Sequence, residues 1–151
     1  MHPWRLQSPD AVVPSTAGVG PTIADPAAPR ILVVEDSDCL RAVAMSTLSA
    51  GGYAVTEARH GEDALRVIER TAEPFDLVIT EMMMPIMSGY KLGRHLARRR
   101  PELRVLYIMS AAARKTLASS GSPLGKSQFL QKPFLPADLL HQVTGLLQPP
   151  A

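Results

Sequence analysis

The chain has 151 residues, 46% hydrophobic and 20% charged, with a formal net charge of +2: enough for one domain with a real core and short for two. That net charge argues by itself for neither nucleic acid nor a membrane surface, and the single cysteine excludes an internal disulfide framework or a cysteine-based zinc cluster. No apolar run approaches the roughly 20 residues that span a bilayer, and Met1-His-Pro-Trp-Arg5 lacks the apolar stretch of a secretion signal, so a cytoplasmic protein with no nucleic-acid or membrane partner is expected.

Residues 1–29 interleave Pro3, Pro9, Pro14, Pro21, Pro26 and Pro29 with Ser, Thr, Ala and Gly. Such a segment buries too little apolar surface to offset its ordering entropy, so it reads as a disordered tail or linker, with Trp4 its one anchor candidate. From Arg30 the pattern alternates. Ile31-Leu-Val-Val34 is a first strand, ending in Glu35-Asp36. Leu40, Val43, Ala44 and Leu48 recur at helical spacing up to Gly51-Gly52. Tyr53–Thr56 is a second strand, and Gly61–Thr71 a helix with Ala64, Leu65 and Ile68 on one face. Asp76–Thr80 is a third strand running into Glu81, followed by a helix over Ser88–Arg100. Val105–Met109 is a fourth strand, ending in Ser110-Ala111. Within 112–124 the Ser119-Ser-Gly-Ser-Pro123 run shortens or breaks the next helix. Gln128–Gln131 is a fifth strand, ending in Lys132-Pro133, and Pro136–Leu147 a last helix with Leu139, Leu140, Val143 and Leu147 inward. The domain therefore spans residues 30–148, and 149–151 form a short tail.

Alternating strands and helices imply a parallel sheet covered on both faces. Open sheets of this kind place ligand sites at the carboxyl ends of their strands. Those ends carry Glu35 and Asp36, Glu81, Ser110 and Lys132. Crowded carboxylates raise one another's pKa unless a cation intervenes, and a hard, oxygen-liganded Mg²⁺ resolves that conflict. Lys132 and Ser110 can then pair with a carboxylate or with phosphoryl oxygens, which fits charge neutralisation around a transferring phosphoryl group.

The set Glu35-Asp36, Glu81-Met-Met-Met-Pro85, Ser88-Gly89, Ser110-Ala111 and Lys132-Pro133-Phe134 resembles the receiver domain of bacterial two-component response regulators, and the ending of the fifth strand is similar to receivers of hybrid sensor kinases. The resemblance implies a flavodoxin-like (βα)5 sheet of order 2-1-3-4-5. It implies that Asp36 is a direct Mg²⁺ ligand, Glu35 a partner of a metal-bound water, and the backbone carbonyl of Met83 a further ligand. It also makes Ser110 the switch hydroxyl, Phe129 the switch aromatic, Lys132 the phosphate-pairing cation, and Lys132-Pro133 a cis peptide. Implied partners are a histidine kinase, a phosphotransfer protein or another regulator, met through the fourth helix, fifth strand and fifth helix. A monomer or weak homodimer, a stand-alone receiver acting by protein–protein contact rather than as an enzyme, is expected.

The chain departs from the family at Glu81, where the phosphoacceptor aspartate belongs. The extra methylene moves the carboxylate by up to about 1.5 Å, and a displacement of roughly 1 Å can cost on the order of a hundredfold in rate. Mg²⁺ binding is weakened by the same change. Two readings stay open: a domain that accepts phosphate poorly or never, or one resting in something like the phosphorylated conformation. The preferred expectation is a degenerate receiver. Asp76, at the opposite sheet edge, and Asp38, expected to cap the first helix, cannot replace the acceptor. The rival is a haloacid-dehalogenase-type, Mg²⁺-dependent phosphohydrolase using Asp36 and Asp38, against which stand the missing late acidic pair and cap insertion. Met82, Met83, Met84 and Met87 read as core filler rather than a soft-metal site. Arg94, Arg98, Arg99, Arg100 and Arg104 read as a solvated helix end.

Overall fold

A computed structural model describes residues 25–119 and 128–148. Most of the Pro-rich segment, with Trp4, and the Ser-Gly-Ser-Pro run lie outside the described residues, as do 149–151. Residues 25–28 form a turn, in which Asp25 accepts from the backbone N–H groups of Ala27 (2.9 Å) and Ala28 (2.8 Å).

Five strands and five helices alternate: β1 (Arg30–Val34), α1 (Asp38–Ala50), β2 (Ala54–Ala58), α2 (Gly61–Arg70), β3 (Leu77–Glu81), α3 (Gly89–Arg99), β4 (Arg104–Met109), α4 (Ala111–Ser119), β5 (Gln128–Gln131) and α5 (Pro136–Leu147). All pairings are parallel, in the order β2-β1-β3-β4-β5. This is the flavodoxin-like arrangement that the resemblance implied, built on the parallel sheet expected from the alternation. Glu81 belongs to the last position of β3 rather than to the loop beyond it.

Side chains of successive strand residues point to opposite faces, so each apolar strand feeds two cores. Ile31, Val33, Ile79 and Ile108 pack with Ala44 and Leu48 of α1 and Leu139 and Val143 of α5. On the other face Leu32, Val34 and Val78 pack with Ala64 and Ile68 of α2 and Leu92 and Leu96 of α3. Beneath α4, Met82, Tyr107 and Met109 form a third cluster against Tyr90, Leu117 and Phe129.

The expected inner face of α1 needs correction. Leu40 and Val43 are 48% and 50% exposed, because the buried stripe of α1 is Arg41, Ala44 and Leu48. Leu40 and Val43 instead line an apolar cavity of about 290 Å³ between α1 and α5. The methionines divide in the same way: Met82 is core in the cluster beneath α4, Met84 and Met87 pack against the Leu32–Val34 cluster, but Met83 is 68% exposed.

Candidate functional site

Register brings the strand ends together. Val34 is level with Thr80, so Glu35 follows beside Glu81. Glu81 is level with Ile108, and Met82 N–H donates to the Ile108 carbonyl (2.8 Å). Met109 is level with Gln131, and Lys132 N–H donates to the Met109 carbonyl (2.9 Å). Side chains scattered through the sequence thus share one sheet edge, as the strand pattern predicts. Asp76 lies at the opposite edge, where its Oδ2 accepts from Arg30 N–H (2.8 Å).

Glu81 is buried, and its Oε2 lies 2.5 Å from the Lys132 ammonium, itself one-third exposed. That oxygen has no partner in hydrogen-bonding geometry, so the contact is a close charge pair rather than a directed bond. The backbone beneath it is held tightly. Thr80 Oγ1 donates to the Glu81 carbonyl (2.9 Å) and Gly89 N–H to the Met82 carbonyl (3.0 Å). A Cβ on Gly89 would overlap the Glu81 carbonyl, so only glycine lets α3 begin this close to β3.

Glu35 is also buried, and its Oε1 accepts from Ser37 N–H (3.1 Å). Burial pushes its carboxyl pKa up to about 7. Glu81 raises it further, while the Ser37 bond and Lys132 act against the rise. Asp36 is exposed. Ser110 Oγ accepts from Ala113 N–H (3.1 Å) and so caps α4. Phe129 stacks on Tyr107 with ring centroids 5.7 Å apart, and Lys132-Pro133 is cis.

Glu35 lies close enough to Glu81 and Asp36 for both to raise its pKa. Among the described residues no group of three His, Cys, Asp or Glu side chains is placed to hold a metal ion. The oxygen-only chemistry of these groups suits Mg²⁺, but their arrangement does not fit it. Glu81 is turned to Lys132, Glu35 to the Ser37 N–H, and Asp36 is exposed.

Asp38 also departs from expectation. Ser37 caps α1, accepting from Leu40 N–H (3.3 Å). Asp38 pairs with Arg41 Nη2 (2.5 Å), which holds its carboxyl below the usual range. A phosphohydrolase using Asp36 and Asp38 therefore finds no support here. Sequence reasoning missed Arg41. This buried guanidinium also donates to the Glu35 carbonyl (3.0 Å) and to Glu57 Oε2 (3.1 Å), tying the acidic loop to α1 and β2. An Arg four residues after Ser37, within an apolar helix face, was the available signal. His60, another residue given no role, caps α2 through Nδ1 (3.2 Å to Asp63 N–H).

Comparison with known proteins fits this geometry. The family model described as "Response regulator receiver domain" matches residues 31–144. The receiver protein CpdR of Brucella abortus (strain 2308) is 32% identical over 118 residues, covering 78% of this chain and 96% of that protein. The solved receiver domain of the hybrid histidine kinase CckA is 34% identical with a TM-score of 0.65, covering 79% of this chain and 99% of that one. The regulator TrrA of Thermotoga maritima, solved with Mg²⁺-BeF, is 27% identical with a TM-score of 0.66 over 79% and 99% of the two chains. With a family model matching most of the chain and the same fold in these relatives, the protein belongs to the response regulator receiver domain family.

Proposed function

We propose that this receiver signals within a phosphorelay by protein–protein contact and is degenerate as a phosphoacceptor, with Glu81 at the acceptor position. The observation that carries the reading is the Glu81–Lys132 pair at 2.5 Å. The ammonium that would neutralise a phosphoryl oxygen is already held by the carboxylate that would have to carry the phosphoryl group. Adding that group would mean breaking a largely buried charge pair before any new contact forms. On this reading Glu81 stands in for charge, and partners read the resulting surface. They are a histidine kinase, a phosphotransfer protein or another regulator. Mg²⁺ is a weak ligand at most, because the third carboxylate of its site is engaged elsewhere.

Incubation with Mg²⁺ and a small acyl phosphate, followed by intact mass, tests this. The native chain is expected to gain no phosphoryl adduct, and Glu81→Asp to gain one. A stable single adduct on the native chain, lost in Glu81→Gln, would refute the degenerate reading.

A further inference from the structure

The helix α3 carries its charge in an unusual way. From Lys91 to Arg104 there are six cations, Lys91, Arg94, Arg98, Arg99, Arg100 and Arg104, against Glu102 alone, while the whole chain is only +2. All six are exposed, and none belongs to an ion pair among the described residues. Lys91, Arg94 and Arg98, at i, i+3 and i+7, form one stripe opposite the buried Leu92 and Leu96.

The helix dipole explains part of this. Arg98, Arg99 and Arg100 sit at the carboxyl end of α3, where cations are favoured. Lys91 does not fit that account, because it lies in the first turn, where a cation opposes the dipole by about 0.3–1 kcal/mol. That turn holds no acid, whereas the first turns of α1, α2 and α5 hold Asp38, Glu62 with Asp63, and Asp138. Like charges three or four residues apart cost a few tenths of a kcal/mol more. Lys91 and the like-charge spacing therefore oppose the helix, offset in part by Arg98 at its carboxyl end and by Arg94 over the Tyr90 ring (5.9 Å to the centroid).

A second observation lies just before α3. Ile86 adopts φ 69°, a left-handed conformation that costs a β-branched residue about 1–3 kcal/mol. Its side chain gains no burial in return, being 68% exposed, and Met83 in the same loop is equally exposed. Strain of this sort clusters at active sites, ligand clamps and switch regions.

We propose that Ile86 and the Lys91–Arg94–Arg98 stripe form a docking surface for a protein segment bearing carboxylates at helical spacing and an apolar residue at one end. Protein interfaces combine an apolar anchor with arginines, and this loop and helix present that combination. A nucleic-acid backbone would be held by the charges alone and would leave the displayed Ile86 unexplained. The surface is separate from the fourth-helix, fifth-strand and fifth-helix face implied by the resemblance, and its use requires no phosphorylation, so it is independent of the role given to Glu81.

The test titrates the full-length ¹⁵N-labelled chain with a synthetic helical peptide carrying Glu at i, i+3 and i+7 and Leu at one end. The same peptide with Ser for Leu and a short DNA duplex are the comparisons. Resonances of residues 86–98 are expected to shift. Arg94→Glu with Arg98→Glu is expected to weaken binding by about tenfold or more, and Ile86→Asn, which tolerates the left-handed backbone, by about threefold. All variants are at exposed positions, and circular dichroism verifies their folding. Three results would each overturn the proposal: no shift in 86–98 with the Leu peptide, equal binding of the Leu and Ser peptides with no effect of Ile86→Asn, or tighter binding of the duplex to the same residues.

Discussion

Replacing Lys132 with Met isolates the charge pair at the centre of the site. The Glu81 side chain is 10% exposed and that of Lys132 33%, so the two halves of the pair are not equivalent. Removing one member of a fully buried pair costs about 3–5 kcal/mol, chiefly because the other charge is stranded. Solvent access at Lys132 screens the interaction, which lowers the expectation for Lys132→Met to about 2 kcal/mol. Glu81→Gln strands Lys132 instead, and an ammonium already one-third exposed can hydrate, so this change is expected to cost less than about 1 kcal/mol. Thermal unfolding followed by circular dichroism reads both, with Lys132→Met lowering Tm by roughly 6–10 °C at neutral pH. The double variant is expected to be more stable than the sum of the singles by about 1–2 kcal/mol, as for residues in direct contact. The reasoning is refuted if Glu81→Gln costs as much as Lys132→Met, or if the two effects simply add.

Two further perturbations probe the frame around the pair. Glu35, ordinarily near 4.5, is pushed up to about 7, mainly by burial. Between those values the folded protein holds a proton that the unfolded chain has lost, so stability falls as pH rises through the window and levels off above it. The contribution is at most about 3 kcal/mol; Glu35→Gln is expected to flatten the urea midpoint between about pH 4.5 and 7, and an unchanged slope would count against the buried-carboxyl reading. Gly89→Ala places a Cβ against the Glu81 carbonyl, which is backbone and cannot rotate away. The expected loss is about 2 kcal/mol or more by thermal unfolding, and a variant as stable as the native chain would show that α3 can withdraw from β3 freely.

Much of the architecture was legible in the sequence. Short β-branched runs alternating with helical spacing led to a parallel sheet with Glu35, Glu81, Ser110 and Lys132 at one edge, and the resemblance to receiver domains supplied the order 2-1-3-4-5. Strand ends follow from a local pattern, because a strand buried on both faces is a continuous apolar run whose first polar residue marks the sheet edge. What each side chain does at that edge is set by neighbours remote in sequence. Ser110 also caps α4, because the free N–H groups of that helix's first turn lie beside its hydroxyl. Asp38 was expected to cap α1, but Arg41, buried between β1, β2 and α1, drew it into an ion pair and left the cap to Ser37. Leu40 and Val43 fit a helical face in one dimension, yet only the packing of α5 decided that they border a cavity. Sequence alone determined which groups meet at the strand ends. The tertiary structure decided that Lys132 closes on Glu81, because a buried carboxylate takes the nearest cation the fold supplies.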